Sequence, residues 1–316
     1  MANRLRKIAI LGQGLIGSSI TRAIFQRDLP LEVTITDASP KVCERLLELG
    51  LGRAKVVFSN REAVAGADLV IGCVPVASYS DLVKDIAPDL KPGAILSDVG
   101  SVKMGVIKES LPYLPDQVEF VPAHPLAGTE FSGPDAGKPK LFVDRWCILT
   151  PLEETDPKAI ELVKSFWTDI GSKVQIMSAE EHDYTLAITS HLPHLSAFSI
   201  MHTALAREAK IDNSVVQFSA GTFRDFTRVA LSNPKMWRDI FLMNKEPLTK
   251  VFNQFVEDMQ MILEAVEEGD GEKIEALISQ SRQTRSENIN EQDFANKRKR
   301  VSKSAPSEVI RPYSTD

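Results

Sequence analysis

The sequence predicts an α/β protein in two parts, a doubly wound parallel-sheet domain followed by an all-helical one. Three observations predict this. Short apolar runs alternate with helical stretches through the first half, a glycine-rich turn ends the first run, and no convincing strand follows residue 178. The 316 residues suffice for one large or two medium domains.

The runs are KIAIL (7–11), EVTITD (32–37), DLVIGCV (68–74), AILSDV (94–99), VEFVPA (118–123) and WCILT (146–150). They are rich in Ile, Val and Leu without polar alternation, as in strands buried on both faces of a parallel sheet. Helices fit between them, for example at 15–27 and 40–49. A helix over 157–171 and a short strand at 173–177 complete the domain. SAEE (178–181) then reads as a capping box, with the Ser178 hydroxyl over the backbone N–H of Glu181. Long helical periodicity follows, as in 244–270. Its apolar faces exceed what one small bundle buries, which predicts a dimer interface. The expected division is 1–177, 178–290, and a polar, basic tail at 291–316 without periodicity, expected to be disordered.

The net charge of −6 argues against nucleic acid or an anionic membrane as the main partner, and the basic cluster at 297–300 reads as a solvated tail. Cys43, Cys73 and Cys147 are odd in number, far apart and without metal spacing, so each reads as a small buried hydrophobe. The basic-then-apolar start resembles a signal peptide. However, Gly12, Gly14 and Gly17 interrupt it and no A-x-A site follows. No apolar stretch reaches the roughly 18–20 residues of a membrane span, and a cytoplasmic protein is expected.

GQGLIG (12–17) follows the first strand and opens a helix. Gly12 permits the tight turn, Gly14 lets the backbone approach a pyrophosphate, and Gly17 lets helix and strand pack closely. Gln13, Leu15 and Ile16 complete a helix N-terminus with free amides for the phosphates. Asp37 ends the second strand twenty residues after Gly17, where a ribose-binding carboxylate belongs. A carboxylate accepts from both ribose hydroxyls and repels a 2′-phosphate, and no Arg follows directly. NAD is therefore expected over NADP. Val74 and Pro75, after the third strand, suit a wall for a ribose, or a simple strand-ending turn.

Three further stretches carry polar groups toward the same sheet edge or follow the domain boundary. In SDVGSVK (97–103), Ser101 could bond a substrate or cap a helix starting at Val102, and spacing leaves both open. In AHPLAGTE, His124 follows the fifth strand, stiffened by Pro122 and Pro125 and followed by glycines that let the loop pass near a ligand. A neutral imidazole there can take a hydroxyl proton while hydride leaves the same carbon. In SHLPHLSAF (190–198), His191 and His194 share a helix face, and Pro193 clashes with the carbonyl of Thr189, predicting a kink. No Cys or Asp cluster supplies further ligands, so no metal is expected. Residues 221–241 hold Arg224, Arg228 and Arg238 with Asp225 and Asp239. A substrate carboxylate would want one arginine free of such ion pairs, and spacing leaves open which.

Taken in order, G-x-G-x-x-G with its Asp, SDVGSVK, HPLAGTEFSG, SHLPH, FRDFTR and NPKMWRDI resemble the prephenate/arogenate dehydrogenase family of tyrosine biosynthesis, over residues 7 to about 286. The resemblance implies a Rossmann-type domain and a helical domain that forms an intertwined dimer. It implies NAD-dependent oxidative decarboxylation of prephenate to 4-hydroxyphenylpyruvate and CO2, or of arogenate to tyrosine. By motif, His124 takes the ring hydroxyl's proton and Ser101 lies near that hydroxyl and the nicotinamide. Glu130 gates the site at the substrate side chain. Arg228 clamps a substrate carboxylate, His194 and Trp237 line the pocket, and Gly221 opens the FRD motif; His191, on the face it shares with His194, is either a further lining residue or a buried structural histidine. Some members carry a regulatory ACT domain or a fused chorismate mutase. Neither is expected here, so tyrosine inhibition is expected as competition at the active site. Two rival readings remain. One is a β-hydroxyacid dehydrogenase or imine reductase, which typically uses a catalytic Lys on its second domain. The other is a nucleotide-sensing protein, which has no need of His124, Arg228 and Trp237 together.

Overall fold

The computed structural model describes residues 5–129, 131–211 and 216–288. Six strands, β1 (Lys7–Leu11), β2 (Glu32–Thr36), β3 (Lys55–Val56), β4 (Leu69–Gly72), β5 (Ile95–Asp98) and β6 (Glu119–Phe120), pair in parallel in the order β3-β2-β1-β4-β5-β6. The absence of polar alternation has a direct cause, because each face of this sheet has its own core. Ile8, Ile10, Val33, Ile35, Leu69, Ile71 and Ile95 pack on one side, with Ile20 and Ile24 of the helix Leu15–Gln26. Ala9, Leu11, Val70 and Leu96 pack on the other, with Leu82 and Val83 of the helix Tyr79–Ile86. The strand order reverses between β1 and β4, which opens the crevice where doubly wound sheets bind ligands.

The expected run at 118–123 divides in two. Val121 still donates to Leu96 O of the large sheet. Pro122 has no N–H to continue the ladder, and Ala123 begins β7 (Ala123–Pro125) of a second sheet. There β7 lies antiparallel to β8 (Trp146–Leu149), and β8 parallel to β9 (Lys173–Ile176). His124 therefore sits inside a strand, opposite Ile148, rather than beyond one. The two-residue β3 was not anticipated either.

The capping box forms as read, Ser178 Oγ accepting from the Glu181 N–H at 3.0 Å. The helix Ala179–Leu186 then passes through a π-helical turn, Ala187–His191, into the helix Leu192–Ile211. The break expected from Pro193 takes this form: the widened turn accommodates a residue with no N–H and a ring that crowds the Thr189 carbonyl. The helices Gly221–Thr227, Pro234–Met243, Lys245–Glu268 and Gly271–Asn288 follow. The chain forms two compact units, one to Phe252 and one from Asn253. Within the first, Ala179, Trp237 and Ile240 share a core with the sheet. Among the described residues no helix is long and apolar enough to cross a membrane. The tail at 291–316 and Glu130 lie outside the described residues.

Candidate active site

Leu11 pairs in register with Gly72, and Gly72 with Asp98. The turns leaving β1, β4 and β5 therefore start level with one another at the sheet's carboxyl edge. Gly12 has φ +88°, and a Cβ there would lie 2.6 Å from the Cys73 carbonyl oxygen. A Cβ on Gly17 would lie 2.0 Å from the Gly12 carbonyl oxygen. A Cβ on Gly14 would meet nothing within 4 Å beyond its chain neighbours and its own helix backbone. Gly14 caps the helix Leu15–Gln26 without a side-chain bond, so the first amides of Leu15 and Ile16 stay available for an anion. Asp37 is held from both sides, accepting from the Gln13 N–H at 2.8 Å and the Ser39 N–H at 2.9 Å. Each oxygen keeps a lone pair for a ribose hydroxyl. The Gln13 side chain turns inward and donates to Ile10 O at 3.2 Å, so only its backbone belongs to the turn. Half-buried Val74 and exposed Pro75 leave β4 beside it. Open space at Gly14, uncapped amides and a fixed carboxylate together fit a dinucleotide.

Next to this turn lies a buried polar hub, most of which the sequence did not reveal. Asp98, at the end of β5, accepts from the Ala123 N–H at 3.0 Å and the Gly100 N–H at 2.8 Å, and pairs with Lys103. Lys103 also donates to the Ala123 carbonyl at 2.7 Å. Both side chains are fully buried. The residue before His124 is thus gripped at both backbone groups. Ser101 is half-buried on the same loop. The helix here begins at Met104 rather than Val102, and its cap is Asp183, which accepts from the Lys103 and Met104 amides at 2.8 and 2.9 Å. The capping role considered for Ser101 therefore falls away.

His124, 8 % exposed, meets His182 across 2.8 Å between Nδ1 and Nε2. His182 Nδ1 in turn lies 2.8 Å from Asp183 Oδ1. The Asn244 amide donates to the Asp183 carbonyl at 2.9 Å and lies 2.9 Å from His191 Nδ1. Burial pushes His124 well below the usual histidine range, helped by His182, Lys103 and His191. Burial also lowers His182, against the pull of Asp183, and brings His191 down to about 4. Three neutral imidazoles therefore meet here near neutral pH. Asp98, Lys103, His182, Asp183 and Asn244 were missed. The one available signal was that His182 is among only five histidines in the chain.

The hub continues into the helical part. His194 stacks on Trp237 with ring centroids 3.8 Å apart, and His191 meets the same ring edge-on at 6.0 Å. Trp237 lines a cavity of about 800 Å³ together with Phe198, Arg224, Arg228 and Arg238. Arg238 is held by Asp239 at 2.6 Å, and Arg224 donates to Ser219 Oγ at 3.4 Å. Among the described residues Arg228 makes no ion pair, so it is available to a carboxylate. Its charge helps lower His194, after burial. Gly221 is exposed at the start of its helix, and among the described residues Ser101 makes no hydrogen bond into the hub. Among the described residues no group of three or more His, Cys, Asp or Glu side chains is placed to hold a metal ion.

A glycine-rich turn at the strand-order reversal, beside a buried histidine, is the arrangement expected of a nucleotide-dependent oxidoreductase. The comparisons narrow this class. Residues 20–176 match the family model of the prephenate dehydrogenase nucleotide-binding domain, and 178–280 that of its dimerization domain. The chain belongs to the prephenate dehydrogenase family. It is 41% identical to a cyclohexadienyl dehydrogenase of Zymomonas mobilis, over 89% of this chain and 95% of that one. It is 35% identical to a prephenate dehydrogenase of Bacillus subtilis, over 84% and 72%. Among solved structures, prephenate dehydrogenase from Aquifex aeolicus in complex with hydroxyphenyl propionate and NAD+ superposes with a TM-score of 0.84 at 30% identity, covering 92% of this chain and all of that one.

Proposed function

We propose that this protein oxidatively decarboxylates prephenate to 4-hydroxyphenylpyruvate, or arogenate to tyrosine, with NAD as the acceptor. The observation that carries this reading is His124, fixed at the sheet edge by the grip on Ala123 and the contact with His182, and kept neutral by its burial. His124 takes the proton of the ring hydroxyl as hydride leaves the same carbon. NAD, when bound, supplies the hydride acceptor. The bond to the ring carboxylate breaks to release CO2, and its electron pair completes the aromatic ring. The oxygen takes the proton back from His124 as a phenol. Aromatisation drives the step, and general-base help of this kind is worth about 10²–10⁴-fold.

The turn Gly12–Gly17, through Gln13, Gly14, Leu15 and Ile16, would hold the pyrophosphate, Asp37 the ribose, and Val74 and Pro75 one wall. NAD is favoured over NADP because Asp37 repels a 2′-phosphate, and the next arginine along the chain, Arg45, is committed to Asp135 and Glu48. Ser101 binds near the hydroxyl and Arg228 clamps a carboxylate. His191, His194, Gly221 and Trp237 shape the pocket, with Glu130 at the substrate side chain. Tyrosine competes at this same site. Residues 1–177 carry the nucleotide and 178–290 the dimer contact. In the unit from Asn253, Met259, Ile262, Leu263 and Val266 are exposed apolar side chains that a second copy would cover.

The test is reduced-nucleotide formation with prephenate and arogenate in parallel, each with NAD and NADP. Turnover with prephenate and NAD is expected. Turnover with arogenate as well would make the enzyme a broad cyclohexadienyl dehydrogenase. Activity with neither substrate, nucleotide still bound, would leave the fold standing and remove the function.

A further inference from the structure

We infer that His182 and Asp183 are positioning residues that decide which ring nitrogen of His124 is free of a proton, making Nε2 the basic atom. The inference rests on the reading of His124 as the base, yet the tautomer it assigns can be observed without turnover.

Two groups around Asp183 have fixed roles. The backbone amides of Lys103 and Met104 can only donate, and they occupy Asp183 Oδ1 and Oδ2. A carboxylate serving as a helix cap in this way is an acceptor. Its third partner, His182 Nδ1, must then be the donor in their 2.8 Å contact. A neutral imidazole carries one N–H, so His182 Nε2 is left as an acceptor. The proton in the 2.8 Å contact between the two rings must come from His124 Nδ1. His124 has a single N–H too, and its Nε2 lone pair is left over. Among the described residues nothing hydrogen-bonds to that atom.

Burial favours the neutral form of both rings. Lys103 acts on them from the loop after β5 and His191 on His124 from the π-helical turn, while Asp98 at the end of β5 and Asp183, next to His182 on its helix, pull His182 the other way without outweighing burial. Burial and the Lys103 charge oppose an imidazolium at His124. A neutral pair without Asp183 could run its hydrogen bonds in either direction. In the reverse direction His182 would donate to His124 Nδ1 and leave Nε2 protonated, unable to accept the substrate's proton. Asp183 breaks that symmetry. The same carboxylate caps the helix Met104–Ser110, so the element that follows Ser101 and the polarity of the base are set by one group.

The test combines kinetics of the full chain with nitrogen-15 spectra of histidine-labelled protein. His182→Gln keeps the polarity, because its amide oxygen can accept from His124 and its NH₂ can donate to Asp183. His182→Leu removes both. His182→Leu is expected to lose about 10–100-fold in kcat with KM changed less than about threefold, and His182→Gln to recover to within about fivefold of wild type. Wild-type spectra without substrate are expected to show His124 protonated at Nδ1 and bare at Nε2. A proton on Nε2 would overturn the inference, as would an unchanged kcat in His182→Leu or equal losses in the Leu and Gln variants. If the wild type turned over neither prephenate nor arogenate, the proposed reaction would fall while the spectrum would still decide the tautomer.

Discussion

The glycine turn after β1 and the hub around His124 stand at the same edge of the sheet and are built in opposite ways. The turn is six consecutive residues whose work is done by backbone, with a positive φ at Gly12, no room for a Cβ at Gly17 and open space at Gly14. The hub is made of side chains that are distant in sequence, His124 from His182 by 58 positions and the Lys103 amide from Asp183 by 80. A turn of this kind tolerates change wherever space is open. In a buried network, removing one member strands its partner.

The largest effect should fall on the hub. Lys103→Met leaves Asp98 buried without its cation, and breaking such a pair costs about 3–5 kcal/mol. Denaturant unfolding measures this. Unchanged stability would mean that the pair does not hold the edge. Two alanine substitutions sharpen the contrast within the turn. Gly17→Ala forces a Cβ against the Gly12 carbonyl and should destabilise the nucleotide-free protein by about 1–3 kcal/mol. Gly14→Ala should change that stability by less than about 0.5 kcal/mol and instead weaken NAD binding, because its Cβ enters the ligand's space. Thermal melts and NAD titration separate the two, and equal behaviour would erase the distinction.

A smaller effect is graded with pH. His124, His182 and His191 are all lowered by burial. In the unfolded chain they bind protons near pH 6.5, and in the fold only below it. Their contribution is therefore complete above about pH 6.5 and is lost as pH falls from there toward about 4, where His191 titrates. Melting temperature should fall over that window. The acid limb of kcat/KM should lie well below the ordinary histidine range, because His124 stays neutral. An acid limb at the ordinary histidine value would contradict the burial assigned to it.

The two regions also differ in what the sequence disclosed. Strands β1, β4 and β5 were legible because two cores demand apolar side chains on both faces. GQGLIG and Asp37 were legible because their spacing is their geometry. The run at 118–123 concealed a change of sheet, since apolar residues suit either sheet and only Pro122 marks the break. Two-residue β3, with exposed Lys55, has no period to detect. Lys103 was passed over because lysine is almost never buried unless paired, and its pairing with Asp98 shows only in three dimensions. His182, flanked by Glu180, Glu181 and Asp183, reads as a solvated helix face, yet it is fully buried. Which arginine is tied up also had to be seen: Asp239 takes Arg238, while among the described residues Asp225 pairs with neither Arg224, which donates to Ser219 Oγ, nor Arg228.

The most direct test compares prephenate-dependent NADH formation by the wild type and by His124→Asn, with substrate binding measured on both. The account predicts that the wild type forms NADH and that His124→Asn binds prephenate but turns it over about 10²–10⁴-fold more slowly. A variant that binds and turns over within about twofold of wild type would show that His124 is not the base.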